Sequence, residues 1–173
     1  MTKKDIKHVS KTLAVLVGQP LRKIGRNVEL ITINFDKLIQ SGDDKLGKYE
    51  MGVLCNMRFT YGDKIIFASN DVFHPTEEQA NKPGFIWDTF DWQILGNTMF
   101  DEIVEKHFNG KFCDYIVKSV KINKFGDLTI KFENNFIIEF FADGSGYSEN
   151  WRFGEANSSD SMLILTGNGN QAN

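Results

Sequence analysis

The chain has 173 residues, of which 41% are hydrophobic and 25% charged, and its formal net charge is −3. This length predicts one domain with a sizeable core, and the slightly acidic balance excludes a general electrostatic affinity for nucleic acid. Two cysteines cannot form a disulfide framework, and no stretch approaches the ~20 apolar residues of a membrane span. We therefore expect a cytoplasmic protein with reduced thiols that has neither nucleic acid nor a membrane as a partner.

Residues 5–17, near the N-terminus, show the pattern of an amphipathic helix. Apolar residues recur there at helical spacing, and lysines lie between them. Gly18 favours a helix end, and Pro20 prevents continuation of the helix. The basic charge of this region favours a solvated helix face over an anionic partner or a membrane surface.

The next region alternates between apolar and polar residues, as β-strands do. Residues 28–35 predict a strand, and residues 40–44 predict a loop. Residues 49–61 predict one long strand whose odd-numbered side chains face the core, and residues 64–69 return as its hairpin partner. Cys55 falls on the apolar face of the long strand, so we interpret it as a small core residue and not as a reactive thiol.

Residues 70–96 have no clean period, and two prolines interrupt them. Irregular stretches of this length inside compact domains are often functional. Either Asn97 or Thr98 can then cap a helix that extends to residue 108.

The region from 115 to 153 has the clearest pattern of an antiparallel meander. Apolar and polar residues alternate in short runs, and turn-forming pairs separate the runs. These pairs are Gly126-Asp127, Asn134-Asn135 and Asp143-Gly144.

Together these elements predict an α+β fold that is mainly antiparallel β, with an N-terminal helix and one central helix. We expect a curved sheet or a two-layer half-barrel of about seven to nine strands. Residues 1–166 form a single domain in this prediction, and residues 167–173 form a flexible C-terminal tail.

Carboxylates are concentrated in the irregular region and the start of the helix that follows it. Residues 71–102 include seven acidic residues and a single lysine, Lys82. The acidic residues are Asp71, Glu77, Glu78, Asp88, Asp91, Asp101 and Glu102. Their spacing matches no calcium loop and no di-metal helix pair, so a solvated acidic face or a protein-binding face is preferred over a metal or catalytic site.

Other chemistries find little support in the sequence. His8, His74 and His107 are scattered, and His107 falls on the apolar stripe of its helix, which favours packing over metal binding. No nucleophile motif and no glycine-rich phosphate loop opening a helix occurs. The sequence therefore predicts no cofactor, no metal and no catalytic residue, and it favours a non-enzymatic protein.

Two arginines lie on predicted strands beside apolar residues. Arg58 and Arg152 each require a carboxylate partner if they are buried, because an unpaired buried charge is strongly unfavourable. Asp71 and Asp91 are the candidate partners of Arg58, and a structural ion pair is preferred over a binding site. Trp151 is expected to be packed.

Several short motifs follow one another along the chain. They are Gly18-Gln19-Pro20-Leu21, Ile24-Gly25-Arg26, Met57-Arg58, Ser69-Asn70-Asp71, Phe90-Asp91-Trp92, Gly96-Asn97, Phe100-Asp101-Glu102 and Glu149-Asn150-Trp151-Arg152-Phe153. In this combination, the chain from residue 18 to about residue 169 resembles a family of small bacterial proteins of unassigned function. Met57 stands where that family has Trp, and Gln93 stands where it has an acidic residue. The resemblance implies no reaction, and it suggests an immunity-type protein only by analogy.

Two functions of different classes follow from these observations. The first is a protein-binding domain that neutralises a basic toxin through an acidic aromatic surface. Its expected binding residues are Asp71, Asp88, Asp91, Trp87, Trp92, Asp101 and Glu102. The second is a small-molecule-binding or enzymatic domain with a pocket lined by Trp87, Trp92 and Trp151. The sequence carries no signal for an oligomeric state.

Overall fold

The computed structural model describes residues 1–158 and 162–172. The α-helices in this part of the chain are α1 (Lys3–Leu13), α2 (Glu77–Ala80) and α3 (Met99–Phe108). The strands are β1 (Leu21–Asn27), β2 (Leu30–Ser41), β3 (Asp44–Val53), β4 (Asn56–Tyr61), β5 (Lys64–Ala68), β6 (Val117–Ile122), β7 (Leu128–Phe132), β8 (Phe136–Phe141), β9 (Glu149–Glu155), β10 (Leu163–Thr166) and β11 (Gly169–Ala172). The α+β class predicted from the sequence is confirmed, with more strands than expected.

The strands form two antiparallel sheets. One has six strands in the order β1-β2-β3-β9-β10-β11, and the other has five in the order β5-β4-β8-β7-β6. A continuous hydrophobic core joins the inner faces of both sheets to the apolar sides of α1 and α3. A direct bond also links the sheets, because the indole Nε1 of Trp151 on β9 donates to the carbonyl of Gly126, between β6 and β7, at 2.9 Å. Trp151 is fully buried, as expected.

The predicted single strand over residues 49–61 is wrong, although its inward face is largely correct. Met51, Val53 and Cys55 are all buried, but the chain leaves the six-stranded sheet after β3 and enters the five-stranded sheet as β4. The amides of Leu54 and Cys55 both donate to the carbonyl of Asn150 at 2.9 Å, which holds the crossing in place. Alternation reports the face of a strand, and it stays in phase across this change of sheet.

The first hairpin also differs from the sequence prediction. Residues 30–35 of the expected strand at 28–35 belong to the longer β2, whereas residues 28 and 29 form the turn that connects it to β1, an unpredicted partner strand. The expected loop at 40–44 is a tight turn between β2 and β3. Gly47 permits the irregular pairing beside this turn, because a Cβ atom there would lie 2.4 Å from the carbonyl oxygen of Phe35.

Both predicted helices are present. α1 begins after a capping box formed by Thr2 and Asp5, and it continues into a 3₁₀ turn at Ala14–Leu16. Thr98, and not Asn97, caps α3, and its hydroxyl accepts a hydrogen bond from the amide of Asp101. Within the described part of the chain, no helix has the length and apolar character needed to cross a membrane.

The C-terminus differs from the expected flexible tail. β10 and β11 pair as a hairpin, with Thr166 opposite Gly169 at the turn. β11 is therefore an edge strand of the six-stranded sheet. Asn173, the last residue of the expected tail, lies outside the described residues.

Candidate functional site

A buried ion pair anchors the acidic region of the chain. The guanidinium of Arg26, on β1, donates to both carboxylate oxygens of Asp101, with Nε–Oδ1 at 2.9 Å and Nη2–Oδ2 at 2.7 Å. The Arg26 side chain has no exposed surface. Its remaining donors reach the carbonyls of Ile94 at 2.9 Å and Val28 at 3.1 Å. Arg26 therefore fastens the loop before α3 to the first hairpin.

The carboxylate of Asp101 also organises the start of α3. Its Oδ2 accepts hydrogen bonds from the amide of Gly96 at 2.9 Å and from the hydroxyl of Thr98 at 2.9 Å. Burial raises the pKa of Asp101, but the hydrogen bonds from Arg26 and Thr98 outweigh burial, and the pKa lies below its ordinary value. The carboxylate is therefore charged at neutral pH, and its hydrogen bonds are made to groups of the protein itself.

Further bonds fix the residues around α2. The amide of Met99 donates to the carbonyl of His74 at 2.8 Å, and Pro75 forms an isolated β-bridge with Thr98. The side chains of Gln79 and Asn97 are joined at 3.1 Å. Residues 71–102, the acidic segment, are thus held at several points.

The acidic segment presents a group of large apolar side chains to solvent. Ile86, Trp87, Ile94 and Leu95 are 59%, 58%, 52% and 66% exposed; we call these four residues the apolar surface. Ile86 and Ile94 line one cleft of about 380 Å³. Trp87 packs edge-on against Phe85, with ring centroids 5.5 Å apart. Because adjacent exposed apolar residues often mark interaction sites, this surface is the strongest candidate interface in the segment.

The structure separates the seven carboxylates of the segment into two groups. Asp101 binds Arg26, Glu102 pairs with Lys106, and Glu78 pairs with Lys82. The Oδ2 of Asp71 accepts from the amide of Ala68 at 2.8 Å, which caps the 3₁₀ turn Ser69–Phe73.

The remaining carboxylates, Glu77, Asp88 and Asp91, are exposed and form no ion pair in the described structure. Asp91 accepts a local hydrogen bond from the amide of Gln93 at 3.0 Å. Asp88 and Asp91 lie in the same stretch as Trp87, so negative charge and exposed apolar area occur together.

The three tryptophans do not line a common pocket. Trp92 is half-buried and packs edge-on against Phe73 at 4.9 Å. Trp87 is on the surface, whereas Trp151 has no exposed area. A buried ring that bonds to Gly126 cannot line an open site together with Trp87.

The expected partners of Arg58 are wrong. Arg58 pairs with Glu139, at 2.7 Å, and not with Asp71 or Asp91. Strands β4 and β8 place Arg58 directly opposite Glu139, which is a favourable cross-strand pair of opposite charges. Arg152 also meets a carboxylate, that of Glu149, at 3.6 Å.

The histidines do not form a common site. The ring of His107 contacts Phe59, Phe108 and Phe136, and its Nε2 lies 3.0 Å from the hydroxyl of Tyr115. Burial lowers the pKa of His107. Among the described residues, no group of three or more His, Cys, Asp or Glu side chains is arranged to hold a metal ion.

Sequence reasoning missed Arg26 and three members of the apolar surface. Ile86, Ile94 and Leu95 lie where the sequence has no period, so no pattern distinguishes exposed from buried residues there. Arg26 lies on β1, where Arg22, Lys23 and Asn27 are also polar, so no local pattern marks it as the arginine that is buried.

No protein-family model, no curated protein and no solved structure matches this chain.

Proposed function

We propose that this chain is a non-enzymatic protein-binding domain of the immunity type, which neutralises a basic toxin domain through the apolar surface and the carboxylates beside it. The observation that carries the proposal is the exposure of Ile86, Trp87, Ile94 and Leu95 on a segment anchored by a buried ion pair. A loop whose backbone is already held in place loses little conformational freedom on binding.

The charges define the chemistry of the partner. Asp88 and Asp91 are exposed and lie within four residues of Trp87 in the sequence. Their negative charge favours a cationic partner, because opposite charges accelerate encounter between two surfaces. Trp87 and its apolar neighbours act after encounter, since burial of apolar anchors slows dissociation.

Within the acidic segment, the structure reduces the set of residues that we assign to binding. Asp71, Asp101 and Glu102 are engaged by Ala68, Arg26 and Lys106, respectively. We therefore assign recognition to Trp87, Asp88 and Asp91 and to the three other members of the apolar surface. Trp92 is half-buried and packs against Phe73, so we leave it out of the recognition set.

The test is to capture the partner from the native host and to measure binding kinetics at low and high salt. Reversal of both charges, Asp88→Lys with Asp91→Lys, is expected to slow association by about tenfold at low salt and by much less at high salt, where charges are screened. Trp87→Ala is expected to raise the dissociation rate instead.

Two matched variants serve as controls. Glu133→Lys reverses an exposed carboxylate between β7 and β8, and Tyr147→Ala removes an aromatic side chain that is 82% exposed. Neither is expected to change the kinetics. An association rate that is unchanged when both Asp88 and Asp91 are reversed would contradict the proposal, as would a captured partner with an acidic binding domain.

A further inference from the structure

A basic surface lies along one edge of the five-stranded sheet, where α1 runs beside β6. The nitrogen of Met1, before α1, donates to the carbonyl of Lys124, just after β6, at 3.0 Å. The amide of Gly18, after α1, donates to the carbonyl of Val117, the first residue of β6, at 2.8 Å. The helix α1 and the edge strand β6 are therefore antiparallel neighbours that pack against each other.

Lysines from both elements point to solvent. On α1, Lys3, Lys7 and Lys11 recur every four residues and form one row, on the side of the helix opposite to the buried Val9 and Leu13. On the sheet, exposed lysines occur on β6 and on the neighbouring strand β7. We call six of these residues the basic strip: Lys3, Lys7, Lys11, Lys118, Lys121 and Lys131.

Strand register places lysines of the sheet on its outer face. Ser119 on β6 pairs with Lys131 on β7, and Lys121 lies two residues after Ser119, so Lys121 and Lys131 share a face. The neighbours of Lys131 along β7, Ile130 and Phe132, are buried in the core. The basic strip is therefore assembled from two parts of the chain that are distant in sequence.

The positive charge of the basic strip is not neutralised by ion pairs. None of its lysines pairs with a carboxylate in the described part of the chain. Asp5 and Asp127, the carboxylates that lie between these lysines in the sequence, accept hydrogen bonds from Thr2 and from the amide of Ala142. The net charge of −3 argues against anionic partners only if charge is spread evenly, whereas here positive charge is gathered on one face.

Exposed apolar side chains flank the basic strip at both ends. Phe125, next to Lys124, is 68% exposed, and Val17, next to the contact between Gly18 and β6, is 48% exposed. The backbone of Phe125 is held in place, because Oδ1 of Asn123 accepts a hydrogen bond from its amide at 2.8 Å. A row of lysines alone is typical of a solvated helix face. Lysines from two elements with apolar side chains at both ends favour a partner that is both anionic and apolar.

We propose that the basic strip binds the surface of an anionic lipid bilayer. Each lysine near such a surface adds attraction, and Phe125 and Val17 enter the boundary between the headgroups and the acyl chains. The apolar side of α1 is covered by the core, so the helix lies on the bilayer and does not insert. A nucleic-acid strand is the less favoured partner, because its bases offer stacking to the ring of Phe125 but no apolar layer to Val17.

The location of the basic strip makes this site independent of the proposed toxin-binding surface. The helix α3 packs against β5, which is the edge of the five-stranded sheet opposite to β6. The acidic segment follows β5 and includes the start of α3, so it adjoins the edge away from the basic strip. The two surfaces share no residue, and the carboxylates of the acidic segment are kept apart from the anionic bilayer.

Vesicles of phosphatidylcholine, with and without phosphatidylserine, are the probes, and co-sedimentation at low and high salt measures binding. We expect the protein to bind only the vesicles that contain phosphatidylserine, and we expect the affinity to fall at high salt, where charges are screened. Phe125→Ser is expected to weaken binding several-fold while the salt dependence remains. Leu38→Ser, at another exposed apolar position, is expected to leave binding unchanged.

Two triple charge reversals with the same change in net charge form a matched pair. The α1 variant carries Lys3→Glu, Lys7→Glu and Lys11→Glu. The control variant carries the same change at exposed positions on β2, β3 and β5, namely Lys37→Glu, Lys45→Glu and Lys64→Glu. The α1 variant is expected to bind phosphatidylserine vesicles about tenfold or more weakly than the unmodified protein, and the control variant is expected to bind almost as well as it.

A sheet variant with Lys118→Gln, Lys121→Gln and Lys131→Gln tests the other half of the basic strip, and circular dichroism checks that every variant is folded. The proposal is overturned if the protein does not bind phosphatidylserine vesicles, or if the folded α1 and sheet variants bind them as the unmodified protein does. Equal losses of affinity in the α1 and control variants also overturn it, because net charge would then govern binding. A labelled oligonucleotide is titrated in parallel, and binding to it without binding to vesicles overturns the bilayer in favour of nucleic acid.

Discussion

Arg26 and Asp101 lie 75 residues apart in the sequence and meet in a two-point ion pair that is almost entirely buried. The same guanidinium donates a hydrogen bond to the carbonyl of Ile94, and the same carboxylate accepts a hydrogen bond from the amide of Gly96. This pair therefore joins the first hairpin, the loop that carries the apolar surface, and the start of α3. The loop has little regular structure of its own, so its conformation depends on these contacts.

Loss of one partner of this pair is expected to be costly. Arg26→Met should lower the free energy of unfolding by about 3–5 kcal/mol, because the Asp101 carboxylate is left buried without its counter-charge. Arg58→Met is the matched control: its pair with Glu139 is partly exposed, and such pairs contribute about 0–1 kcal/mol. Urea denaturation measures both. Equal losses of unfolding free energy in the two variants would show that the buried Arg26 pair contributes no more to stability than the partly exposed Arg58 pair.

Trp151 is expected to be a major contributor to stability. Trp151→Ala should lower the free energy of unfolding by about 3–5 kcal/mol, because it leaves a large cavity in the core. Trp151→Phe keeps most of the packing but leaves the carbonyl of Gly126 without its donor, at a cost of about 1–3 kcal/mol. Trp87→Ala, on the surface, should change stability by less than about 0.5 kcal/mol. A small effect of Trp151→Ala would contradict the burial described above.

Stability is expected to fall on mild acidification because of His107. Burial holds the pKa of His107 below its ordinary value of 6.5, so the unfolded chain binds the proton first as the pH drops. Stability that is complete above pH 6.5 is therefore lost as the pH falls toward the lower pKa of the folded state.

The measurement is thermal unfolding of the protein and of a His107→Phe variant between neutral and mildly acidic pH. The variant keeps an aromatic ring near Tyr115 and should lose this part of the pH dependence. His8→Gln, at an exposed position, should retain it. A pH profile unchanged by His107→Phe would assign the effect to other groups.

The two thiols are expected to react at very different rates. Burial, and then the negative charge of Asp143, raises the pKa of Cys55 to about 12, whereas Cys113 is exposed. Since the thiolate is the reactive form, a disulfide reagent at mildly alkaline pH should titrate one thiol in the native protein and two after unfolding. Cys113→Ser should abolish the native reaction. Rapid modification of Cys55 in that variant would show that this part of the core opens readily.

Local patterns were sufficient for features that depend on neighbouring residues. Helical spacing identified α1, and the capping preferences of Asn97 and Thr98 located the start of α3 to within one residue. Alternation correctly placed Met51 and Val53 in the core. These predictions succeed because helix periodicity, caps and strand faces are determined within a few residues of the chain.

Tertiary structure decided the features that depend on partners distant in sequence. The period of two cannot report that the chain changes sheets at Cys55, because its phase is the same on both sides of the crossing. Arg58 meets Glu139 and not Asp71 because strand pairing sets the register. Arg26 finds Asp101, and Ile94 stays on the surface, only once the first hairpin and α3 are packed together. The sequence by itself therefore determined the fold class, the two longer helices and most of the buried strand faces. Strands β1 and β11, the change of sheet after β3 and the candidate site arose from long-range pairing of charges and strands, which local residue patterns do not encode.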